Sequence, residues 1–173
     1  MKALPVMLAV IVPALAHGQA TMSCPMHEQH EGSSHHAADV DTRGDKAMGF
    51  SHLKSTHHFE LLTDGGIIEV GTNDKTDTAT RDEIRGHLSH VAQMFTEGDF
   101  QLPMFIHDTV PPGVPVMKSK RTAITYTFES TSTGGRVRIT TSDPDALNAV
   151  HQFLTFQIDD HRTSDPNTVK PPA

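Results

Sequence analysis

Ser55-Thr56-His57-His58-Phe59-Glu60-Leu61-Leu62 runs into the turn signal Asp64-Gly65-Gly66, and Ile67 to Val70 then resumes an extended pattern. Apolar and polar positions alternate along the first run, as in a strand with one buried face. The two runs read as a β-hairpin with Phe59 and Leu61 pointing inward. His57 shares their face and His58 points away.

The chain repeats this unit. After a polar connection over 71–80, Thr80 with Glu83 three residues later has the capping-box spacing. The spacing predicts a helix over 81–95 whose stripe is Ile84, Leu88, Val91 and Phe95, ended by Gly98. A second hairpin follows, with Ile124, Tyr126 and Phe128 alternating, a turn at Ser132 to Gly135, and Val137 and Ile139 opposite. Ser142 or Asp143 caps a second helix, which carries Leu147, Leu154 and Ile158 and stops before Ser164-Asp165-Pro166. The glycine pairs 65–66 and 134–135 read as hairpin-turn residues with positive φ. No helix follows either pair directly, so neither is a phosphate-binding loop.

Two hairpins, each followed by an amphipathic helix, predict an α+β two-layer domain of order β-β-α-β-β-α. An antiparallel sheet carries both helices on one face. Residues 100–117, with Pro111-Pro112-Gly113 and Pro115, read as an irregular loop packed over the domain. The open sheet face leaves room for a homodimer.

Outside this core, residues 1–20 read as a secretory signal peptide. Lys2 is followed by an apolar run to Leu15, and small residues permit cleavage after Ala16 or Ala20. The expected location is the periplasm or the exterior, with no stable membrane insertion after cleavage. Residues 21–47 are poor in apolar side chains and read as a flexible leader. The single domain is expected over 48–164, with a disordered tail at 165–173.

Thirteen histidines accompany one tyrosine and no tryptophan. A formal charge of −7 with few aromatics excludes nucleic-acid binding as a reading, because phosphate contacts need a basic surface. Cys24 is the only cysteine, so no internal disulfide forms. Cys24-Pro25-Met26-His27 places a thiol, a thioether and an imidazole in four residues, with His30, His35 and His36 close behind. Soft sulfur ligands suit Cu(I), and imidazole suits copper or zinc.

The tetrapeptide resembles the Cys-Pro-Met-His core of the small heavy-metal-binding segment of some copper-exporting ATPases and efflux periplasmic adaptors. The resemblance covers those four residues. Glu28 stands where that family has proline, and the aromatic that usually precedes the cysteine is absent. It implies a metal role for Cys24, Met26 and His27.

In the domain, His87 borders the stripe of the first helix, while His90 points toward solvent. His151 and His161 fall on the core side of the second helix. Their ten-residue separation, at about 1.5 Å rise per residue, prevents both from holding one ion without partners from elsewhere. His57 on the first strand supplies one such partner, and His107 and the methionines Met104 and Met117 supply others from the proline-rich loop. The expected domain ligands are therefore drawn from His57, His87, His107, His151 and His161. Asp160 and Asp165 read first as ordinary solvated carboxylates, with orientation of His161 by either as the alternative.

No His-Glu-x-x-His, Gly-x-Ser-x-Gly or Cys-x-x-Cys-His motif occurs. The expectation is an exported metal-handling protein for copper, with zinc or haem as alternatives. Its partners would be a metal ion and a metal-exporting or metal-receiving protein. Two other readings stand beside it. One is a metal- or haem-dependent periplasmic enzyme or redox protein. The other is a binding or structural domain with buried or pH-responsive histidines.

Overall fold

The computed structural model describes residues 26–172, with side chains from His35 onward. Its elements are α1 (Met26–Met48), β1 (Ser55–Leu62), β2 (Gly65–Thr72), α2 (Thr78–Glu97), α3 (Gln101–His107), α4 (Val114–Ser119), β3 (Ile124–Ser130), β4 (Gly134–Thr141) and α5 (Pro144–Asp160). The expected signal peptide and Cys24 lie outside the described residues.

The strands form one antiparallel sheet in the order β1-β2-β4-β3, flanked by helices on one face. The α+β two-layer architecture is as the alternation and the helix stripes predict. The central β2–β4 ladder runs from Gly65 opposite Thr140 to Gly71 opposite Gly134, with Ile68 facing Val137 near its middle. Each helix packs mainly on the hairpin of the other half: α2 lies over β3 and β4, and α5 over β1 and β2. Neither half closes its own core.

Between the layers, Ile84, Leu88, Val91 and Phe95 of α2 meet Ala149, Val150, Phe153 and Leu154 of α5 in one buried cluster. Phe95 stacks on Phe100 at 4.4 Å and meets Phe153 edge-on at 5.9 Å. Asp77 caps α2 by accepting the Thr80 N–H, so this helix begins one turn earlier than the Thr80–Glu83 spacing predicts. Asp143 caps α5, whose buried stripe passes through Ala146, Val150, Phe153, Gln157 and Ile158 rather than through Leu147.

Four expectations are corrected. Residues 26–47, read as part of a flexible leader, lie in α1, and the folded unit extends back to at least Val40, which is fully buried. Remote polar anchors hold this helix. Arg43 Nε donates to Ile106 O at 2.7 Å, Arg162 reaches Asp41 at 2.8 Å, and His36 reaches Asp160 at 2.8 Å.

The tail read as disordered runs beside β1. Lys170 forms a parallel bridge with Leu62, and Asp165 accepts the Phe59 N–H, so part of an otherwise open sheet edge is paired.

The proline-rich loop holds α3 and α4. Pro103 and Pro115 sit in first turns, where the missing N–H costs no intrahelical bond.

The paired glycines open β2 and β4 rather than forming turns, and only Gly65 of the four has positive φ. Close packing requires Gly66, because a Cβ there would lie 2.2 Å from Leu154 Cδ1.

Candidate functional site

Because α5 lies over β1, the residue after its last turn comes down on the strand's inward face. His161 stacks on His57 with ring centroids 5.4 Å apart and planes 4° apart. His107, ending α3, meets His161 edge-on at 5.0 Å. His87 of α2 meets Phe50 edge-on at 5.7 Å. All four histidines line one cavity of about 70 Å³, whose other walls include Phe59, Leu88, Phe153 and Gln157. A second cavity of about 310 Å³ adjoins it, walled by Val40, Asp41 and Gly44 of α1 and by Arg162. Met48, His57 and His161 line both, so these three form the neck between inner and outer space.

Hydrogen bonding divides the histidines into two groups. The two ring nitrogens of His107 pair with protein groups, Nδ1 with the Asp160 carboxylate and Nε2 with the Gln157 side-chain amide at 3.0 Å. Both of its nitrogens are therefore occupied by protein. His151 Nε2–H donates to the carbonyls of Leu62 at 2.8 Å and Gly65 at 3.1 Å, tying α5 to the β1–β2 turn away from the cavity. By contrast, among the described residues the ring nitrogens of His57, His87 and His161 have no hydrogen-bond partner. Gln157 Nε2, on the wall of the same cavity, is buried without one as well. The three rings are only part-buried and their nitrogens stay within reach of solvent, so water or a ligand can satisfy them at little cost.

Burial sets the charge state of the free group. It pushes His57 down to about 4, helped by the neighbouring His87, His58 and His52. His87 is pushed to about 4 by burial and then by His90. His161 falls to about 3 through burial and the nearby His57 and His107, against the opposing pull of Asp160. At neutral pH all three are uncharged imidazoles, each with a nitrogen lone pair available to a ligand.

Asp160 is neither a free solvated carboxylate nor hydrogen-bonded to His161. Its carboxylate joins buried His107 to exposed His36. Burial raises its pKa, but the bonds from His107 and His36 bring the net shift down. Asp165 holds His58 on the outer face and the Phe59 N–H.

The structure thus brings His57, His87, His107 and His161 together and leaves His151 apart. His58 and His90 face outward. Met104 does not line the cavity, and Met117 is fully buried in the core. Met26 and His27 stand in the first turn of α1. Sequence reasoning misses Met48, where it places only the domain boundary, and Gln157, whose position on the stripe after Phe153 and Leu154 marks it as an inward polar residue. Among the described residues no three of His, Cys, Asp and Glu stand close enough together to hold a metal ion. Compared with known proteins, the chain matches no family model, and no curated protein or solved structure shows significant similarity to it.

Proposed function

We propose that this is an exported metal-handling protein that binds copper in the histidine-lined cavity. One observation carries the reading: three part-buried, uncharged imidazoles, on β1, on α2 and just after α5, open onto a common cavity, and no protein group hydrogen-bonds their ring nitrogens among the described residues. A core histidine kept for structure looks different in this same molecule, as His151 on two carbonyls demonstrates. Neutral imidazole is the form that ligates copper or zinc. The inner space of about 70 Å³ has room for an ion and a few waters rather than for a porphyrin, which favours a metal over haem. The signal-peptide pattern and the Cys24-Pro25-Met26-His27 cluster support export and a soft metal.

Equilibrium dialysis of the full chain against Cu(I), Cu(II) and Zn(II) tests it. The chain carries Cys24→Ser, Met26→Leu and His27→Ala to silence the leader. Retention of about one copper per chain is expected, with loss when His57→Leu and His161→Leu are added. No retention, or equal retention by those variants, rejects the proposal.

A second reading rests on the same three imidazoles. In it the cavity serves no ligand and the histidines make folding sensitive to acid. It requires a denaturation midpoint unaffected by either metal or chelator.

A further inference from the structure

Resting on the reading above, we infer that Met48 completes a three-donor Cu(I) site with His57 and His161 at the neck between the two cavities. Three observations converge on it. First, these residues alone border both spaces, so an ion held there closes the inner cavity from the outer one. The donors come from three separate elements: the last residue of α1, the middle of β1 and the position after α5.

Second, the end of α1 is fixed. Gly49, with φ of 81°, ends the helix and returns its N–H to Asp45 O at 3.0 Å, while Asp45 also accepts the His52 N–H at 2.6 Å. Met48 is partly buried against the core cluster, so its side chain is packed rather than free in solvent, and it lines the same two spaces as the imidazoles.

Third, the charge balance selects the oxidation state. A thioether and two neutral imidazoles bring no negative charge; the residues lining the inner cavity include no carboxylate, and the Asp41 carboxylate on the outer one is paired with Arg162 at 2.8 Å. The cost of desolvating an ion rises with the square of its charge. A divalent ion is therefore penalised about four times as much as a monovalent one in these apolar surroundings. Cu(I) is soft and accepts thioether sulfur, whereas zinc sites draw four ligands from thiolate, imidazole and carboxylate. Binding at the neck fastens the end of α1 to β1 and α5 through the ion.

The experiment uses the full chain with Met22→Leu, Cys24→Ser and Met26→Leu, which removes the leader sulfurs. Affinities for Cu(I) and Zn(II) are measured by competition with chromophoric chelators, and X-ray absorption at the copper edge reads sulfur coordination. Met48→Leu is expected to weaken Cu(I) binding by about tenfold or more and to abolish the sulfur signal, while Zn(II) affinity barely shifts. Met104→Leu, away from the cavity, is expected to change neither, and unfolding of metal-free Met48→Leu checks that the fold is intact. Unchanged Cu(I) affinity in Met48→Leu, or copper without sulfur in the parent chain, overturns the inference while leaving the copper-binding proposal standing. Failure of the parent chain to bind any metal overturns both.

Discussion

His57 and His161 lie 104 positions apart in the chain, yet their rings stack at 5.4 Å with planes 4° apart. Neither is an imidazolium at neutral pH, because burial comes first among the causes that lower both. Two protonated rings in this arrangement would repel each other. The stack therefore constrains both the ligand chemistry of the cavity and the response of the fold to acid.

Stability is expected to fall on acidification. His57, His87 and His161 have folded-state values of about 4, 4 and 3 against 6.5 for an unburied histidine. Above pH 6.5 they are neutral in both states and make no pH-dependent contribution. Below it the unfolded chain takes up protons that the fold excludes, so each histidine lowers stability by up to about 1.4 kcal/mol per pH unit until its folded value is reached. Urea denaturation from pH 7.5 to 4.5 measures this. A constant midpoint would contradict burial of the neutral rings.

Asp160→Asn removes the charge that His107 and His36 share. A loss of about 2 kcal/mol is expected, because buried His107 keeps its Gln157 partner but loses a charge-assisted bond. His36→Ala, which breaks only the exposed side of the pair, is expected to cost less than about 1 kcal/mol. Chemical denaturation of the two variants compares them, and equal costs would place the energy in the α1 contact instead.

For His151→Leu, stability and metal content separate. The carbonyls of Leu62 and Gly65 lose their shared donor, at a cost of about 1–3 kcal/mol. Metal content is expected to stay at the parent level, because His151 does not border the cavity. Parallel dialysis and melting runs distinguish it from His161→Leu.

Gly113→Ala is expected to destabilise the domain by about 3 kcal/mol, which a thermal melt reads directly. Gly113 has φ of 83°, and an added Cβ would lie 2.0 Å from Ala149 O, so α4 would have to move off α5. A melting temperature within a degree of the parent would show that the α4–α5 contact yields freely.

The sheet and its two long helices are legible because their signals are local. Alternation through Phe59 and Leu61, or through Ile124 and Tyr126, fixes strand faces, and the Ile84-Leu88-Val91-Phe95 stripe fixes the inward side of α2. The same periodicities turn His57 and His87 inward. α1 is not legible in this way, since its anchors are Asp160, Arg162 and the Ile106 carbonyl, all more than sixty positions away. The neck is missed for the same reason: nothing near Met48 announces that it will line the same spaces as a histidine of β1 and another just after α5. Composition also misjudges the C-terminal tail, whose order depends on backbone bonds to β1 rather than on buried side chains.

α1 is 23 residues long, and its axial rise makes it roughly 34 Å from end to end. His27 stands near one end and Met48 at the other, so one ion cannot touch both while the helix is intact. On the proposed reading, an ion held at His27 and one held in the cavity would therefore occupy two stations rather than one chelate. With the helix as a rigid spacer, an ion would pass between these two only through the solvent, through a second chain, or through a partner that spans the gap.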